Sequence, residues 1–489
     1  MSPSFSDFLE EAQLAARSLL DYSENLVNPT VRLGVTGLSR AGKTVFITAL
    51  VHALLRGGRL PVFEAMASGR IAGARLEPQP TDTIARFDYE NHLNALTVDR
   101  RWPASTVDIS ELRLVIEYQR KSGALRSLTL DIADYPGEWL LDLPLLEKSY
   151  EQWSAESLAL SREGPRLKIA AEWHAHLATL TANAPANEQA ALTAAKLFTA
   201  YLKACRDERY AMSLLPPGRF LLPGSAAGSP ALTFAPLDVP ADGDAAAGSL
   251  WAMMRRRYDA YVSQLVRPFF RDHFARLDRQ IVLVDALAAL NAGPDALHDL
   301  QAAITAIHDC FNVGRRSFFS SLFRPRIDRI LFAATKADDL HHLNHDRLEA
   351  IIAFMVKQAV ERSQSSGAVI DVVALAAVRA TREARVRRGR EDLPSIIGVP
   401  AAGETAGGTT FDGNTEAATF PGDLPDDPKV LFADDGSFKG LSSTGLDNAD
   451  YRFLRFRPPL VERNNDGVEA LPHIRMDRAL QFLIGDWLE

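Results

Sequence analysis

The stretch Gly37-Leu38-Ser39-Arg40-Ala41-Gly42-Lys43-Thr44 constrains this chain more than any other. It has the form G-x-x-x-x-G-K-[ST]. A short apolar run, Val31 to Thr36, precedes it, and a helical pattern from Lys43 to about Leu55 follows. A strand that turns through glycines into a helix brings backbone N–H groups together at the positive end of the helix, which makes an anion site. Ser39, Arg40, Ala41, Gly42, Lys43, Thr44 and Val45 would surround the phosphates. Lys43 would reach the β- and γ-phosphates, and Thr44 would offer its hydroxyl to Mg²⁺. Such a loop also requires an α/β architecture, because its strand must be buried between helices.

The rest of the pattern agrees with a mainly parallel sheet covered by helices on both faces. Strands are expected at Leu112–Tyr118, Ser127–Ala133, Gln280–Val284, Arg329–Ala334 and Val369–Leu375, and helices at Asp295–Asn312 and His345–Arg362. These readings divide the chain into an amphipathic helix over 1–28, a first nucleotide-domain segment over 29–140 and a helical insertion over 141–278. A second nucleotide-domain segment over 279–399, a flexible region over 400–448 and a C-terminal segment over 449–489 complete it. The last segment ends in an amphipathic closing helix, Leu471 to Leu488.

Two further motifs carry chemistry. Leu130-Asp131-Ile132-Ala133-Asp134-Tyr135-Pro136-Gly137-Glu138-Trp139 is an apolar strand ending in Asp134, whose carboxylate can hold Mg²⁺ or its water. Asp134 and Gly137 also make D-x-x-G. Thr335-Lys336-Ala337-Asp338 follows another buried strand and has the form [NT]-K-x-D. A carboxylate at Asp338 can accept from both N1–H and N2–H of guanine, donors that adenine lacks, and Lys336 would lie over the base. Read alone, the same residues would be an ordinary helix start.

In this order the three motifs resemble the Ras-like class of GTPases. That resemblance implies GTP or GDP with Mg²⁺ as ligands. It places Gly137 at the γ-phosphate and Glu138 where many members carry the glutamine that orients the attacking water. Lys43, Gly137 and Glu138 then form the catalytic set, and Thr44, Thr106 and Asp134 hold the metal. Ala377, Val378 and Arg379 fall at the loosely matched fifth element, beside the guanine. A narrower resemblance, to the YcjX-like family of bacterial GTPases, rests on the phosphate loop, Asp134 to Trp139, Pro217-Gly218-Arg219-Phe220-Leu221-Leu222-Pro223-Gly224, Arg279 to Asp285 and Pro472-His473-Ile474-Arg475. It implies a Ras-like domain with a helical insertion and a cytoplasmic protein linked to stress responses. It also implies a cell-envelope membrane protein as partner, with peripheral attachment to the inner membrane as a variant.

Composition narrows the alternatives. A net charge of -8 argues against a nucleic-acid partner, and two widely separated cysteines offer neither a disulfide framework nor a zinc motif. No apolar run is long enough to span a membrane. Arg315 and Arg316 are candidates for an arginine finger, with surface solvation as the plainer reading. Arg255-Arg256-Arg257 reads as a solvated helix face. His341, His342 and His345 lie close together after Asp338 and Asp339; metal ligation is conceivable there, but no matching cysteine or carboxylate cluster supports it. The expected activity is slow Mg²⁺-dependent GTP hydrolysis. The rivals are a P-loop ATPase or kinase, and a nucleotide-binding scaffold without useful turnover.

Overall fold

The computed structural model describes residues 29–489 apart from 39, 80, 241, 312–326, 363–366, 389–390, 407, 434–452, 462, 465–466 and 469. The N-terminal amphipathic segment, Ser39, Arg315 and Arg316 therefore lie outside the described residues, as does the later part of the region expected to be flexible.

The centre is an eight-stranded sheet. Its strands are β1 (Thr30–Gly37), β2 (Ile71–Glu77), β3 (Ala85–Arg86), β4 (Ser110–Gln119), β5 (Leu125–Asp134), β6 (Arg279–Val284), β7 (Arg329–Ala334) and β8 (Val369–Ala374). Their order is β2-β4-β5-β1-β6-β7-β8, with β3 beside β4. From β5 through β8 every neighbouring pair is parallel, whereas β2, β4 and β5 run antiparallel. The fold is an α/β P-loop architecture with a mainly parallel sheet.

Burial explains why β6 and β7 are largely apolar. Successive side chains point to opposite faces, so a strand covered on both sides must be apolar at each position. In β6, Ile281 and Leu283 pack with helix Lys43–Arg56 and the C-terminal helix Met476–Ile484, while Val282 and Val284 pack on the other face. The C-terminal helix is held by Arg279, buried in β6, whose guanidinium donates to Leu483 O at 3.0 Å and Asp486 Oδ2 at 2.8 Å. This helix is shorter than the sequence suggests. Leu471 to Ile474 are not helical, Ile474 pairs with Ala376 beyond the end of β8, and Arg475 turns the chain into the helix with left-handed backbone (φ 53°).

Between β5 and β6 the chain is mainly helical, with helices Tyr150–Ser161, Glu188–Cys205 and Leu250–Tyr261 the longest. Their interior is aromatic: Trp153 meets Tyr258, Phe198 and Phe234, and Trp173 stacks near Phe198 and Tyr201. This core continues without a break through Trp139 and Tyr135 to Val282 and Phe332 of the sheet. Of the arginine run expected on a solvated face, Arg256 is exposed, but Arg255 is half-buried and Arg257 buried. Arg255 pairs with Glu151 at 2.7 Å, and Arg257 is buried against Glu188 and the Thr233 carbonyl.

A second sheet was not expected. β9 (Arg382–Arg388) and β10 (Glu391–Gly398) form a hairpin, and Ala417–Thr419 pairs with β10. Pro400 bridges to Phe456, and the described part of the region past residue 400 carries short strands.

One buried carboxyl joins the helical insert to the segment after β5. Asp142 accepts from Gly218 N at 2.7 Å and from Tyr261 Oη at 2.5 Å. Burial pushes this carboxyl up to about 6, against the opposing pull of those two donors and Arg219. Unfolded carboxyls titrate near ~4. The folded chain therefore keeps the proton to higher pH, and the associated stability is full below about pH 4 and lost as pH rises through about 6. Denaturant unfolding at a series of pH values from about 4 to 7 should show the wild type falling by about 2–3 kcal/mol relative to Asp142→Asn, which carries no such proton. A difference between the two that stays constant with pH would refute this.

Candidate functional site

The parallel register lines up the C-terminal ends of the strands. Val35 lies opposite Asp134, Gly37 opposite Leu283, and Val284 opposite Ala334, which in turn faces Ala374. One edge of the sheet thus carries the phosphate loop, Asp134, Asp285, Thr335 and the turn after β8. This is where open α/β sheets bind ligands.

The loop after β1 takes left-handed backbone at Arg40 (φ 61°) and Gly42 (φ 82°). Gly42 is the N-cap of helix Lys43–Arg56 and carries no capping side chain. The first N–H groups of that helix are therefore left for a ligand. Lys43 Nζ donates to Gly37 O at 3.2 Å. Gly137 lies on the same carbonyl: a Cβ added there would fall 2.1 Å from Gly37 O. Asp134-to-Gly137 therefore packs backbone to backbone on the phosphate loop, a closeness that only glycine permits.

Thr44, Thr106 and Asp134, read separately from sequence, converge. Thr106 Oγ1 donates to Asp134 Oδ2 at 2.7 Å and lies 3.3 Å from Thr44 Oγ1. Asp134 Oδ1 is buried without a partner. Burial raises the Asp134 carboxyl to about 6, opposed by the Lys43 ammonium and the Thr106 hydroxyl. Two hydroxyls and a carboxylate with a spare buried oxygen are the hard oxygen donors that Mg²⁺ selects, so the residues fit that ion.

Glu138 is buried. Its Oε1 lies 3.6 Å from Arg206 of the insert and its Oε2 has no partner. Trp139 donates through Nε1 to Leu222 O at 2.9 Å, and the Arg219 guanidinium sits 3.6 Å from its ring centroid. A Cβ on Gly218 would fall 2.0 Å from Glu138 O. On the other flank Ser225 N donates to Asp108 Oδ2 at 2.7 Å, two residues past Thr106. Arg40 pairs with Glu208, also of the insert. The insert thus touches the phosphate loop, the segment around Thr106 and the segment after Asp134. None of Arg206, Glu208, Gly218 and Arg219 was singled out as a site residue from the sequence, although Gly218 and Arg219 lie in one of its unusual stretches.

The Thr335–Asp338 turn lies at the same edge. Thr335 Oγ1 donates to Val284 O at 3.3 Å. Lys336 adopts left-handed backbone (φ 60°) and its Nζ pairs with Asp285 Oδ2 at 2.5 Å. Asp338 Oδ2 accepts from Ala380 N at 2.7 Å, and Thr381 Oγ1 donates to Asp338 O at 2.5 Å. Burial holds the Asp338 carboxyl above its ordinary range. Ala377 and Val378 are buried in the core beside the C-terminal helix. Arg379 N donates to Pro472 O at 2.6 Å, which brings the Pro472–Arg475 stretch against the turn after β8.

This site and sheet define a P-loop protein of the α/β class. Residues 31–488 match the YcjX-like family, DUF463, and the chain belongs to that family. It is similar to the Ras-like GTPase YcjX of Escherichia coli (strain K12), with 37% identity over 94% of this chain and 97% of the relative. It is also similar to the Ras-like GTPase YcjX of Shewanella oneidensis (strain ATCC 700550 / JCM 31522 / CIP 106686 / LMG 19005 / NCIMB 14063 / MR-1), with 34% identity over 96% of this chain and 97% of that relative.

The backbone contact at Gly137 is directly testable. In Gly137→Ala the added methyl meets a backbone carbonyl, which cannot swing aside as a side chain can. Stability should fall by about 1–3 kcal/mol, read by denaturant unfolding followed through tryptophan fluorescence. Wild-type stability in this variant would mean that the segment does not rest on the phosphate loop.

Proposed function

We propose that this chain is a guanine-nucleotide-binding switch that hydrolyses GTP slowly with Mg²⁺. The observation that supports it most is the convergence of Thr44, Thr106 and Asp134 beside Lys43 and Gly137, on the sheet edge that also carries Lys336 and Asp338. The printed names of two relatives, both Ras-like GTPases, point the same way.

In this reading the loop amides and the Lys43 ammonium bind the phosphates of the nucleotide. Thr44, Thr106 and Asp134 would hold Mg²⁺, which supplies charge neutralisation on the phosphate oxygens. Asp338 selects guanine and Lys336 packs over the base, its charge set by Asp285. Gly137 offers its amide to the terminal phosphate, and Glu138 orients the water side. Arg206 beside Glu138 balances that buried carboxylate. Catalysis of this kind is positioning and electrostatics with little covalent chemistry from the protein, and a glutamate at this place fits slow intrinsic turnover. The insert, which holds Trp139 and Asp142, is the element that receives the nucleotide signal. Among the described residues no helix is long and apolar enough to cross a membrane. A cytoplasmic protein that meets a cell-envelope membrane protein in a stress response accords with the reading.

Calorimetric titration of the full chain with GTP, GDP and ATP, with and without Mg²⁺, tests this. Guanine nucleotides should bind at least about a hundredfold more tightly than ATP, and Asp338→Ala should erase most of that preference. Lys43→Ala should abolish GTP turnover. Equal affinity for ATP and GTP in the wild type would reduce the assignment to a P-loop ATPase or kinase. Turnover equal to that of Lys43→Ala, with nucleotide still bound, would leave a scaffold.

A further inference from the structure

The three histidines follow Asp338 and Asp339 in sequence, but the carboxylate that the fold sets against them is a distant one, Glu383. His341 and His342 lie in the turn that leads into helix His345–Arg362, and β9 crosses beside them with Glu383. Their candidate ligand atoms, one from each of His341, His342 and Glu383, all lie within 4.8 Å of one another. His342 Nδ1 is 2.7 Å from Glu383 Oε2, and the two imidazole centroids are 4.3 Å apart. We propose that His341, His342 and Glu383 form a binding site for a divalent transition metal, with Zn²⁺ the best fit.

The donor set selects the ion. Two imidazoles and a carboxylate suit zinc, whereas Mg²⁺ and Ca²⁺ prefer oxygen alone. Ligands on one Zn²⁺ sit about 2.0–2.2 Å from it and so at most about 4.4 Å apart. The observed spread closes with small rotations of His342 and Glu383, which are the exposed members, while His341 is buried and fixed. The Leu343 amide contact to His341 Nδ1 is long, at 3.5 Å, and can be given up. The second carboxylate oxygen already has an outer partner, because Arg379 Nη2 lies 3.5 Å from Glu383 Oε1. Such a neighbour orients a ligating carboxylate from behind. Three protein ligands leave a fourth position for water.

The arrangement is not an accident of two mobile surfaces. The start of β9 is pinned by Asp338, through the Ala380 amide and the Thr381 hydroxyl. Glu383 lies two residues further on. A metal there would be a second brace between the β9–β10 hairpin and the turn after β7. His345, the third histidine of the run, is buried apart from the trio. The proposal does not depend on which nucleotide the protein binds.

The test is calorimetric titration of the nucleotide-free full chain with Zn²⁺, in excess Mg²⁺ so that the Thr44–Thr106–Asp134 cluster is not read. Wild type should bind one equivalent saturably. Glu383→Gln and His342→Gln, both at exposed positions and compatible with folding, should each weaken that binding by at least about tenfold. The Zn²⁺-induced rise in Tm should be lost in both. An unchanged isotherm in either variant, or no saturable binding by wild type, would overturn the site.

Discussion

The close approach of Gly137 to the carbonyl of Gly37 is the contact on which the rest of this structure turns. Backbone sits on backbone there, so the segment after β5 can be neither raised nor shifted without disturbing the phosphate loop. The next layer repeats the device, with Gly218 of the insert on the carbonyl of Glu138. Gly34 makes room beneath for a side chain instead: a Cβ there would fall 2.4 Å from Gln280 Oε1, which accepts from Tyr135 Oη at 2.7 Å. Missing side chains thus join phosphate loop, Asp134–Trp139 and insert into one stack. Packed interiors transmit displacement rather than absorb it.

The sheet was legible because β6 and β7 are buried on both faces and read as apolar runs ending at Asp285 and Thr335, while β5 alternates buried and half-buried residues up to Asp134. β2 was not, since Ile71–Glu77 is a half-exposed edge strand whose sequence, IAGARLE, has no run to notice. The β9–β10 hairpin was hidden for the same reason. Arg382–Arg388 is rich in arginine because much of it faces solvent, and its pairing depends on partners rather than on its own pattern. Thr106 could be chosen from its place ahead of a strand. The pairing of Lys336 with Asp285, and of Glu383 with the histidines, could not, because each joins segments far apart in the chain. The arginines at 255 and 257 show the converse. A charge run on a helix reads as a solvated face until the fold brings Glu151 and Glu188 to meet it.

The insert is fastened to the site by contacts of unequal strength. On the side of Trp139 the fastening is buried: the Asp142 carboxyl between Gly218 and Tyr261, the indole N–H on Leu222, and the Arg219 guanidinium over the ring. Each removes polar groups from water and satisfies them within the protein, so breaking one leaves a buried group unpaired, at about 1–3 kcal/mol. On the side of the phosphate loop the fastening is the Arg40–Glu208 pair, about half exposed on both partners. A surface pair of that kind contributes about 0–1 kcal/mol. Glu208 also meets Arg455 at 3.0 Å, so it has another cation to hold if Arg40 turns elsewhere. If the loop takes a nucleotide as proposed, its phosphates would compete for Arg40 against the weaker fastening and leave the stronger one intact. Arg206, on the same turn, stays tied to buried Glu138 beside Trp139, so in the proposed switch only the Glu208 end would let go, and movement of the segment after β5 would be carried into the insert.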